Sequence, residues 1–426
     1  MQEAMLIITL IFFFLLRAPI AFALGLSSLV YLYFFSTVPL ILIAQKMFTS
    51  VDSFPLVSIP LFVLAGGLME YGGISKRLID FACNIVGYMI GGLAHVSIVA
   101  SMFFAGISGA AVADTAAVGS VLIPAMKNRG YHASFAAALQ ACAGTIGVMI
   151  PPSIPLIFYG VLAGTSISKL FLGGAIPGFI MGGTLMAIAY FISKKRDYPR
   201  EDFLGFKELW SSFRASFFAL LMPVIVLGGI IGGIVTATEA AVIAVIYALF
   251  LGLVVYRELK IVRLPKIFET AMVNTTQVMF IISVASVFSW IITRELIPQQ
   301  IATLLGSLSS NPWVIMLLLN VMLLIVGTFL DIGSSLIIFV PVLMPIIKAL
   351  GIDPVYFGVV MIVNLAIGMA TPPLGVCLFV ACGIAEIDLE TIVKDLWPFL
   401  LGMIAVLLLI TYFPGLVMWL PNLLMG

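Results

Sequence analysis

The second half of this 426-residue chain repeats the first at a fixed spacing of 221 residues, without a gap. Within residues 106–158, ten positions are identical to those 221 residues later. The first copies are Gly106, Leu122, Pro124, Lys127, Gly130, Ile146, Gly147, Pro151, Pro152 and Phe158. The second copies are Gly327, Leu343, Pro345, Lys348, Gly351, Ile367, Gly368, Pro372, Pro373 and Phe379. Because most are Gly, Pro or Lys, the repeat constrains where helices break and end, as in repeated membrane transport folds.

The composition is that of a membrane protein. Hydrophobic residues make up 63% of the chain and charged residues 9%, whereas a soluble domain is charged at roughly a quarter of its positions. We therefore predict an all-α polytopic protein of the lipid bilayer. The net charge of +1 gives no basis for binding nucleic acid. Four cysteines and two histidines, scattered through apolar sequence, predict neither a disulfide framework nor a metal cluster.

The distribution of positive charge predicts the topology. Half of the 20 Lys and Arg residues lie between Lys194 and Lys266, in two clusters separated by apolar chain long enough for two spans. The clusters therefore share one side, which the positive-inside rule makes cytoplasmic. Counting spans outward from this anchor places the N-terminus in the cytoplasm and the C-terminus on the opposite side. An odd number of crossings separates the two copies, so the second is expected to be inverted.

Each copy is predicted to contain a re-entrant helical hairpin followed by a transmembrane helix that is broken at Pro-Pro. The expected units are a first repeat at 1–192, a basic cytoplasmic loop with a connecting helix at 193–238, and a second repeat at 239–426. The hairpins are expected at about 91–126 and 312–347, and the broken helices at about 133–165 and 355–385. Single spans are expected at 18–35, 54–72, 170–192, 215–235, 239–256, 272–293 and 397–420.

The Pro-Pro pairs predict the chemistry of the breaks. Proline lacks an N–H, and its ring clashes with the carbonyl four residues earlier. The carbonyls expected to be freed belong to Gly147, Val148, Gly368 and Met369. Free carbonyls at the end of a half-helix suit a hard cation such as Na⁺, while the N-terminus of the next half-helix suits an anion. Ser153, followed by Pro155, predicts the start of that half-helix. For a Pro-Pro pair that occurs only once, the alternative is a helix kink that serves packing alone.

The hairpin tips supply polar groups within otherwise apolar sequence. In a membrane such groups indicate function, because they are costly to bury. Asp114 and Asp331 either ligate a cation directly or cap a half-helix, and the sequence leaves both roles open. The ion-binding candidates are Ser108, Gly109, Asp114, Thr115, Gly147, Val148, Thr328, Asp331, Ser334, Gly368 and Met369. The substrate-binding candidates are Thr145, Pro151, Pro152, Ser153, Ser335, Asn364, Thr371, Pro372 and Pro373.

Three further polar residues have weaker assignments. Asn364 lies two turns before the second break and either faces the cavity or makes a helix–helix hydrogen bond. Glu239, in the string TEAA at 238–241, is expected to cap a helix. Arg17 is expected to snorkel toward the membrane surface.

Several strings in the sequence resemble the large membrane subunit of TRAP (tripartite ATP-independent periplasmic) transporters. The strongest are FAGISGAAVADTAA at 104–117 and GTIGVMIPPSI at 144–154. TEAA at 238–241, GIDP at 351–354 and IGMATPP at 367–373 continue the similarity through the second half. The resemblance covers essentially the whole chain.

This resemblance implies a sodium-driven secondary importer of organic acids, commonly C4-dicarboxylates or sialic acid, in a bacterial inner membrane, with the C-terminus periplasmic. It implies two partners, a small TRAP membrane subunit and a periplasmic substrate-binding protein that delivers the ligand. It also implies an elevator-type motion of the hairpins and broken helices against a fixed scaffold. No cofactor is expected beyond Na⁺ as the coupling ion.

Two other functions remain open on the sequence. One is an organic-anion transporter coupled to Na⁺ or H⁺ that needs no binding protein. The other is an intramembrane serine protease, suggested by the GISG string at 106–109, which requires a histidine beside Ser108.

Overall fold

The computed structural model describes residues 2–16, 18–201, 205–300 and 311–426. Throughout this part of the chain the regular structure is helical, and it contains no β-strand. Seven of its helical segments are long and apolar enough to cross a membrane. The protein is therefore an all-α polytopic membrane protein. Arg17, which was expected to snorkel, lies outside the described residues.

The helices of the first half surround a hairpin and a broken helix. Those before the hairpin are α1 (Gln2–Leu15), α2 (Ile20–Phe35), α3 (Ile41–Val51), α4 (Ser58–Tyr71) and α5 (Ile74–Val86). The hairpin consists of α6 (Gly92–Ser108) and α7 (Ala111–Asn128). The broken helix consists of α8 (Ala133–Gly144), a 3-10 turn (Thr145–Val148) and α9 (Ile154–Ala163). A long helix, α10 (Ile167–Lys195), follows.

The second half has the same order of elements. The connecting and scaffold helices are α11 (Phe206–Ile231), α12 (Ala237–Phe250) and α13 (Leu264–Arg294). The hairpin arms are α14 (Pro312–Gly327) and α15 (Ile332–Ala349). The broken helix is α16 (Pro354–Met369) with α17 (Val376–Ala385), and the chain ends with α18 (Leu389–Tyr412) and α19 (Gly415–Met425).

The structure differs from the predicted spans in three places. Residues 4–35, in which one span was expected at 18–35, form two packed helices, α1 and α2, and the cytoplasmic N-terminus stays a prediction. Helices α3 and α5 were not predicted, because their polar residues place them below the hydropathy of a span. The last predicted span, 397–420, is divided at Phe413–Pro414, where α18 ends and α19 begins.

The two halves exchange their second half-helices. Helix α17 packs against α7 and α8 of the first half, and α9 packs against α15 and α16 of the second half. Each break is therefore built partly by the other copy. This reciprocal packing is what a pseudo-twofold relation between two repeats produces.

Charged side chains gather at one end of the molecule. Arg129 pairs with Glu201 at 3.1 Å, and Arg77 pairs with Glu258 at 2.7 Å. The Lys127 Nζ donates to the Ala385 carbonyl at 2.8 Å, at the C-terminus of α17. At the far end of the broken helices, the Tyr159 hydroxyl donates to the Pro354 carbonyl at 2.7 Å. We call the end that contains Arg77, Lys127 and Arg129 the basic end.

Candidate functional site

The tip of the first hairpin is fastened to the first break. Gly109 links α6 to α7 with a left-handed φ of 63°, a conformation that glycine adopts without steric cost. A Cβ at this position would collide with the Pro152 carbonyl. The Ile154 N–H, at the start of α9, donates to the Gly109 carbonyl at 3.2 Å. The tip therefore covers the break and occupies one of the free N–H groups of α9.

Asp114, in the first turn of α7, is fully buried beside this tip. The Ser108 hydroxyl donates to its Oδ1, and the Ala110 N–H donates to Ser108 Oγ at 3.1 Å. Its Oδ2 is buried and has no hydrogen-bond partner among the described residues. Gly147 of the break lies against the carboxylate, since a Cβ there would collide with Oδ2. A buried carboxylate oxygen without a donor is costly unless it is protonated or ligates a cation.

The second half of the chain also reaches this carboxylate. Thr115 is fully buried and donates to the Ala111 carbonyl at 2.8 Å. The Cys377 side chain, in the first turn of α17, lies beside Thr115, the residue that follows Asp114. Gly144 of α8 provides the space for Thr115, since a Cβ there would collide with its hydroxyl. Both broken helices therefore meet at the start of α7.

The first break is closed by its own side chains. Ser153 caps α9 by accepting from the Leu156 N–H at 3.3 Å, at the position predicted from the sequence. Its hydroxyl also donates to the Val148 carbonyl at 2.7 Å, so the prediction that this carbonyl is free was wrong. The Thr145 hydroxyl donates to the Cys142 carbonyl at 2.7 Å. Pro151 and Pro152 are buried.

The second break is more open. The Gly368 carbonyl accepts from the Thr371 N–H at 3.0 Å, so the prediction that it is free was also wrong. The Thr371 hydroxyl donates to the Ile367 carbonyl at 2.7 Å. Pro373 is exposed. Helix α17 starts after Gly375, and no side chain of the described residues caps it. Its N-terminal N–H groups therefore lack the serine and the hairpin tip that close the first break.

The second hairpin tip differs from the first. Asp331 is exposed and caps α15, accepting from the Ser334 N–H at 3.1 Å and from the Ser334 hydroxyl. Of the two roles left open for Asp331, the structure shows capping. Thr328 donates to the Ile325 carbonyl at 2.7 Å. Ser335, at the repeat position of Asp114, is buried with an unpartnered hydroxyl oxygen among the described residues.

Asn364 makes a helix–helix hydrogen bond, the alternative that the sequence left open. Its Nδ2 donates to the Asn320 carbonyl at 2.9 Å and to the Asn320 side chain at 3.1 Å. Asn320 in turn donates to Thr411 Oγ1 at 2.8 Å. Asn364 thus ties α16 to α14 inside the protein. It does not line the cavity beside Asp114.

Gln140 is a buried residue of the site that the sequence reasoning missed. It accepts from the Ser97 hydroxyl, and its Nε2 lies 3.4 Å from both Ser101 Oγ and the Asp114 carbonyl. It therefore connects α6 and α8 to the first turn of α7. The signal was available, because Gln140 is the one amide side chain in the alanine-rich string ASFAAALQACAG of α8.

A cavity of about 310 Å³ lies beside the first tip, between the hairpin and helices α4 and α13. Of the predicted site residues, Ser108 and Asp114 line it. The polar groups of the opposite wall are Glu70 of α4 with Thr270 and Asn274 of α13, none of which the sequence analysis selected. The described cavity therefore has carboxylate, hydroxyl and amide oxygens on an apolar wall.

Ser108 is not part of a serine–histidine pair. Its hydroxyl donates to Asp114. His95 Nε2 lies 3.2 Å from the Ile90 carbonyl, and His132 Nδ1 lies 3.5 Å from Arg196 at the basic end. The arrangement that a serine protease requires is therefore not formed at this serine.

Comparison with known proteins agrees with this architecture. The family described as "Tripartite ATP-independent periplasmic transporter, DctM component" matches residues 7–416. An isethionate TRAP transporter permease, DctMQ, from Oleidesulfovibrio alaskensis is 45% identical over 96% of this chain, and the chain spans 64% of that relative's length. The sialic acid TRAP transporter large permease SiaM from Vibrio cholerae is 41% identical over 96% of both chains.

A solved structure shows a similar fold. The YdaH transporter of Alcanivorax borkumensis matches with a TM-score of 0.64, covering 88% of this chain and 87% of its own, at 16% identity. The fold, the family match and the length of matched sequence agree. This chain belongs to the DctM family, the large permease component of TRAP transporters.

Proposed function

We propose that the chain carries out sodium-coupled import of an organic acid anion, with the coupling ion held at the first hairpin tip. The observation that carries this proposal is Asp114, whose Oδ2 is buried without a partner against the backbone of Gly147. One carboxylate balances one monovalent cation. Ser108 Oγ and nearby backbone oxygens add neutral ligands of the kind that unwound helices offer to Na⁺ in transporters.

The anion end of the substrate is proposed to bind at the N-terminus of α17. A helix N-terminus presents free N–H groups and the positive end of the helix dipole. In α9, N–H groups of the first turn donate to Ser153 and Gly109. By contrast, no side chain of the described residues caps α17, and Pro373, which precedes this helix, is exposed. The substrate-binding assignment therefore moves toward Thr371, Pro372 and Pro373 and away from the buried first break.

The substrate class is proposed from the relatives and from this geometry. Relatives are named for isethionate, a sulfonate, and for sialic acid, a carboxylate. Both carry one acidic group of the size that a helix N-terminus accepts. A small organic acid anion of the sialic acid class is therefore the proposed substrate, and relatives named for C4-dicarboxylates add that class. The proposed partners are a small TRAP membrane subunit and a periplasmic substrate-binding protein.

The proposed motion is an elevator. The two hairpins and two broken helices exchange contacts with one another, so they can move as one body. The cavity lies between the first tip and helices α4 and α13, and we assign these two helices to the fixed scaffold in the proposal. We also propose that the basic end faces the cytoplasm and the C-terminus the periplasm of the inner membrane, which accessibility of cysteines placed at residues 127 and 348 tests.

The decisive experiment is uptake into proteoliposomes. The chain, its small membrane subunit and the binding protein are reconstituted, and uptake of sialic acid, succinate and isethionate is measured under a Na⁺ gradient or a pH gradient. We expect uptake that needs Na⁺ and the binding protein, and its loss in Asp114→Asn, which keeps the side-chain shape. Uptake driven by pH alone, or without the binding protein, would favour the binding-protein-independent alternative.

A further inference from the structure

We propose that the cavity beside the first hairpin is a cation vestibule, in which Glu70 of α4 attracts the monovalent ion that Asp114 binds. This inference rests on the proposed function and adds a second site to it. Glu70 belongs to a helix outside both hairpins and both breaks. It would therefore contribute to ion binding from outside the two segments of matching sequence, 106–158 and 327–379.

The cavity joins the two carboxylates. Ser108 and Asp114 stand on its hairpin wall, Glu70 stands on its α4 wall, and Asn274 stands on its α13 wall. Two carboxylates that line one small cavity repel each other when both are ionised. A bound cation relieves that repulsion.

Asp114 gives an independent reason to expect a ligand here. It is fully buried, it lines the cavity, and its Oδ2 has no hydrogen-bond donor in the described residues. An acidic cluster on an exposed surface would be satisfied by water. Among the described residues, Ser108 donates to one oxygen of Asp114, and the other oxygen remains available to bind a cation.

The rest of the lining favours a cation over an anion. The described cavity wall contains no Lys, Arg or His. Glu70 is exposed and makes no ion pair within the described part of the chain. Thr270 and Asn274 add a hydroxyl and an amide oxygen, which suit Na⁺. An organic anion in the same space would meet two negative charges.

One side of the cavity lies near the basic end. Tyr71 and Ile74 line it, and the Arg263 guanidinium lies 6.0 Å from the Tyr71 ring. Arg263 belongs to a basic cluster that the sequence predicts to be cytoplasmic. The vestibule is therefore the proposed route by which the coupling ion leaves toward the cytoplasm, and Glu70 is its first carboxylate from that side.

The test measures how Na⁺ stabilises the purified full-length chain against heat. NaCl replaces choline chloride at constant ionic strength, and the half-saturating Na⁺ concentration is compared among variants. Glu70→Gln should raise it about fivefold, which corresponds to about 1 kcal/mol. Glu70→Asp keeps the charge, so its half-saturating Na⁺ concentration should stay within about twofold of the original, or about 0.4 kcal/mol. Glu269→Gln is the matched control, because Glu269 is an exposed acid beside Thr270 that does not line the cavity.

The outcomes separate this inference from the proposed function. If Asp114→Asn abolishes the Na⁺ response while Glu70→Gln behaves like Glu269→Gln, the vestibule is wrong and the tip site stands. If Asp114→Asn leaves the response intact, the proposed ion site itself fails. Should Glu70→Gln not fold, Asn274→Leu tests the same cavity from α13 and is expected to raise half-saturation; an unchanged value there overturns the vestibule.

Discussion

The two Pro-Pro breaks occupy equivalent places in the repeat, yet one is closed and the other is open. The first is covered by Gly109, capped by Ser153 and fully buried. The second begins its half-helix after Gly375 without a side-chain cap, and Pro373 is exposed. The shared prolines fix the path of the backbone, while the neighbouring side chains decide what each break can bind.

This difference suggests a division of tasks between the two repeats. The closed break leaves no free helix N-terminus but presses the backbone of Gly147 against Asp114, which favours a dehydrated cation. The open break keeps the N-terminal N–H groups of α17 for an anion. Because α17 also packs on α7, the proposed ligands would lie at the N-termini of two helices in direct contact.

The equivalent glycines Gly147 and Gly368 give the largest expected effect. In Gly147→Ala the new methyl group would collide with the Asp114 carboxylate, whereas in Gly368→Ala it would collide with the backbone of Gly327. We expect Gly147→Ala to lower Na⁺-driven uptake about 100-fold, equivalent to about 2.7 kcal/mol, with a smaller loss of thermal stability. Gly368→Ala should instead destabilise the protein by about 1–3 kcal/mol, as overpacking does.

Both variants are measured by uptake per folded molecule and by thermal unfolding in detergent. The comparison breaks if the two variants behave alike. Equal stability losses with equal residual uptake would mean that Gly147 serves packing only, and that its contact with Asp114 has no part in ion binding.

The open break is tested by adding a charge to it. Val376 is the first residue of α17 and is 39% exposed. Val376→Asp places a carboxylate where the substrate anion is proposed to bind, so the KM for substrate should rise about tenfold, or about 1.4 kcal/mol. Val376→Asn is the neutral control of the same shape. If Asp and Asn raise the KM equally, the helix N-terminus does not hold the anion.

The sequence predicted the order of elements well, because Gly and Pro determine where backbone helices end. The helix pairs at 92–128 and 312–349 lie close to the predicted hairpins, and α9 begins after Ser153 as Ser153 and Pro155 predicted. Side-chain partners were harder to predict, since they depend on contacts between distant parts of the chain. Asp114 and Asp331 looked alike in the sequence, but in the gapless repeat Asp114 is equivalent to Ser335, and Asp331 is equivalent to Ala110.

The fate of the freed carbonyls could not be predicted either. A proline leaves a backbone carbonyl of the preceding turn without its helical donor, but the short loop that follows provides other donors for it. The Ser153 hydroxyl donates to the Val148 carbonyl, and the Thr371 N–H donates to the Gly368 carbonyl. Glu70 and Asn274 were missed for another reason. They lie outside the two segments of matching sequence, 106–158 and 327–379, on helices that approach the tip only in the folded protein.

A substitution at Gln140 is expected to have an effect of intermediate size and tests how the two repeats differ. Its repeat partner is Met361, so Gln140→Met gives the first repeat the side chain of the second. The change leaves the buried Ser97 hydroxyl without its acceptor, at a cost of about 1–3 kcal/mol, and loosens the first turn of α7. We expect the half-saturating Na⁺ concentration to rise about threefold, or about 0.7 kcal/mol.

The matched control for Gln140 is Asn364→Leu. Asn364 ties α16 to α14 as Gln140 ties α8 to α6. It should lower thermal stability by a similar amount but leave Na⁺ half-saturation unchanged, because it does not reach Asp114. A parallel shift in Na⁺ response for both variants would show that any loosening of the helices weakens ion binding.

The smallest effect is expected from Ser153→Ala in the closed break. Losing an N-cap costs about 1 kcal/mol, and the Ile154 N–H keeps its bond to Gly109. Thermal stability should fall slightly, while Na⁺ half-saturation and substrate KM both stay within about twofold, or about 0.4 kcal/mol. A loss of uptake comparable to that of Val376→Asp would place the Ser153 hydroxyl on a ligand. The first break would then also be a substrate site, and the division between a closed ion break and an open anion break would not hold.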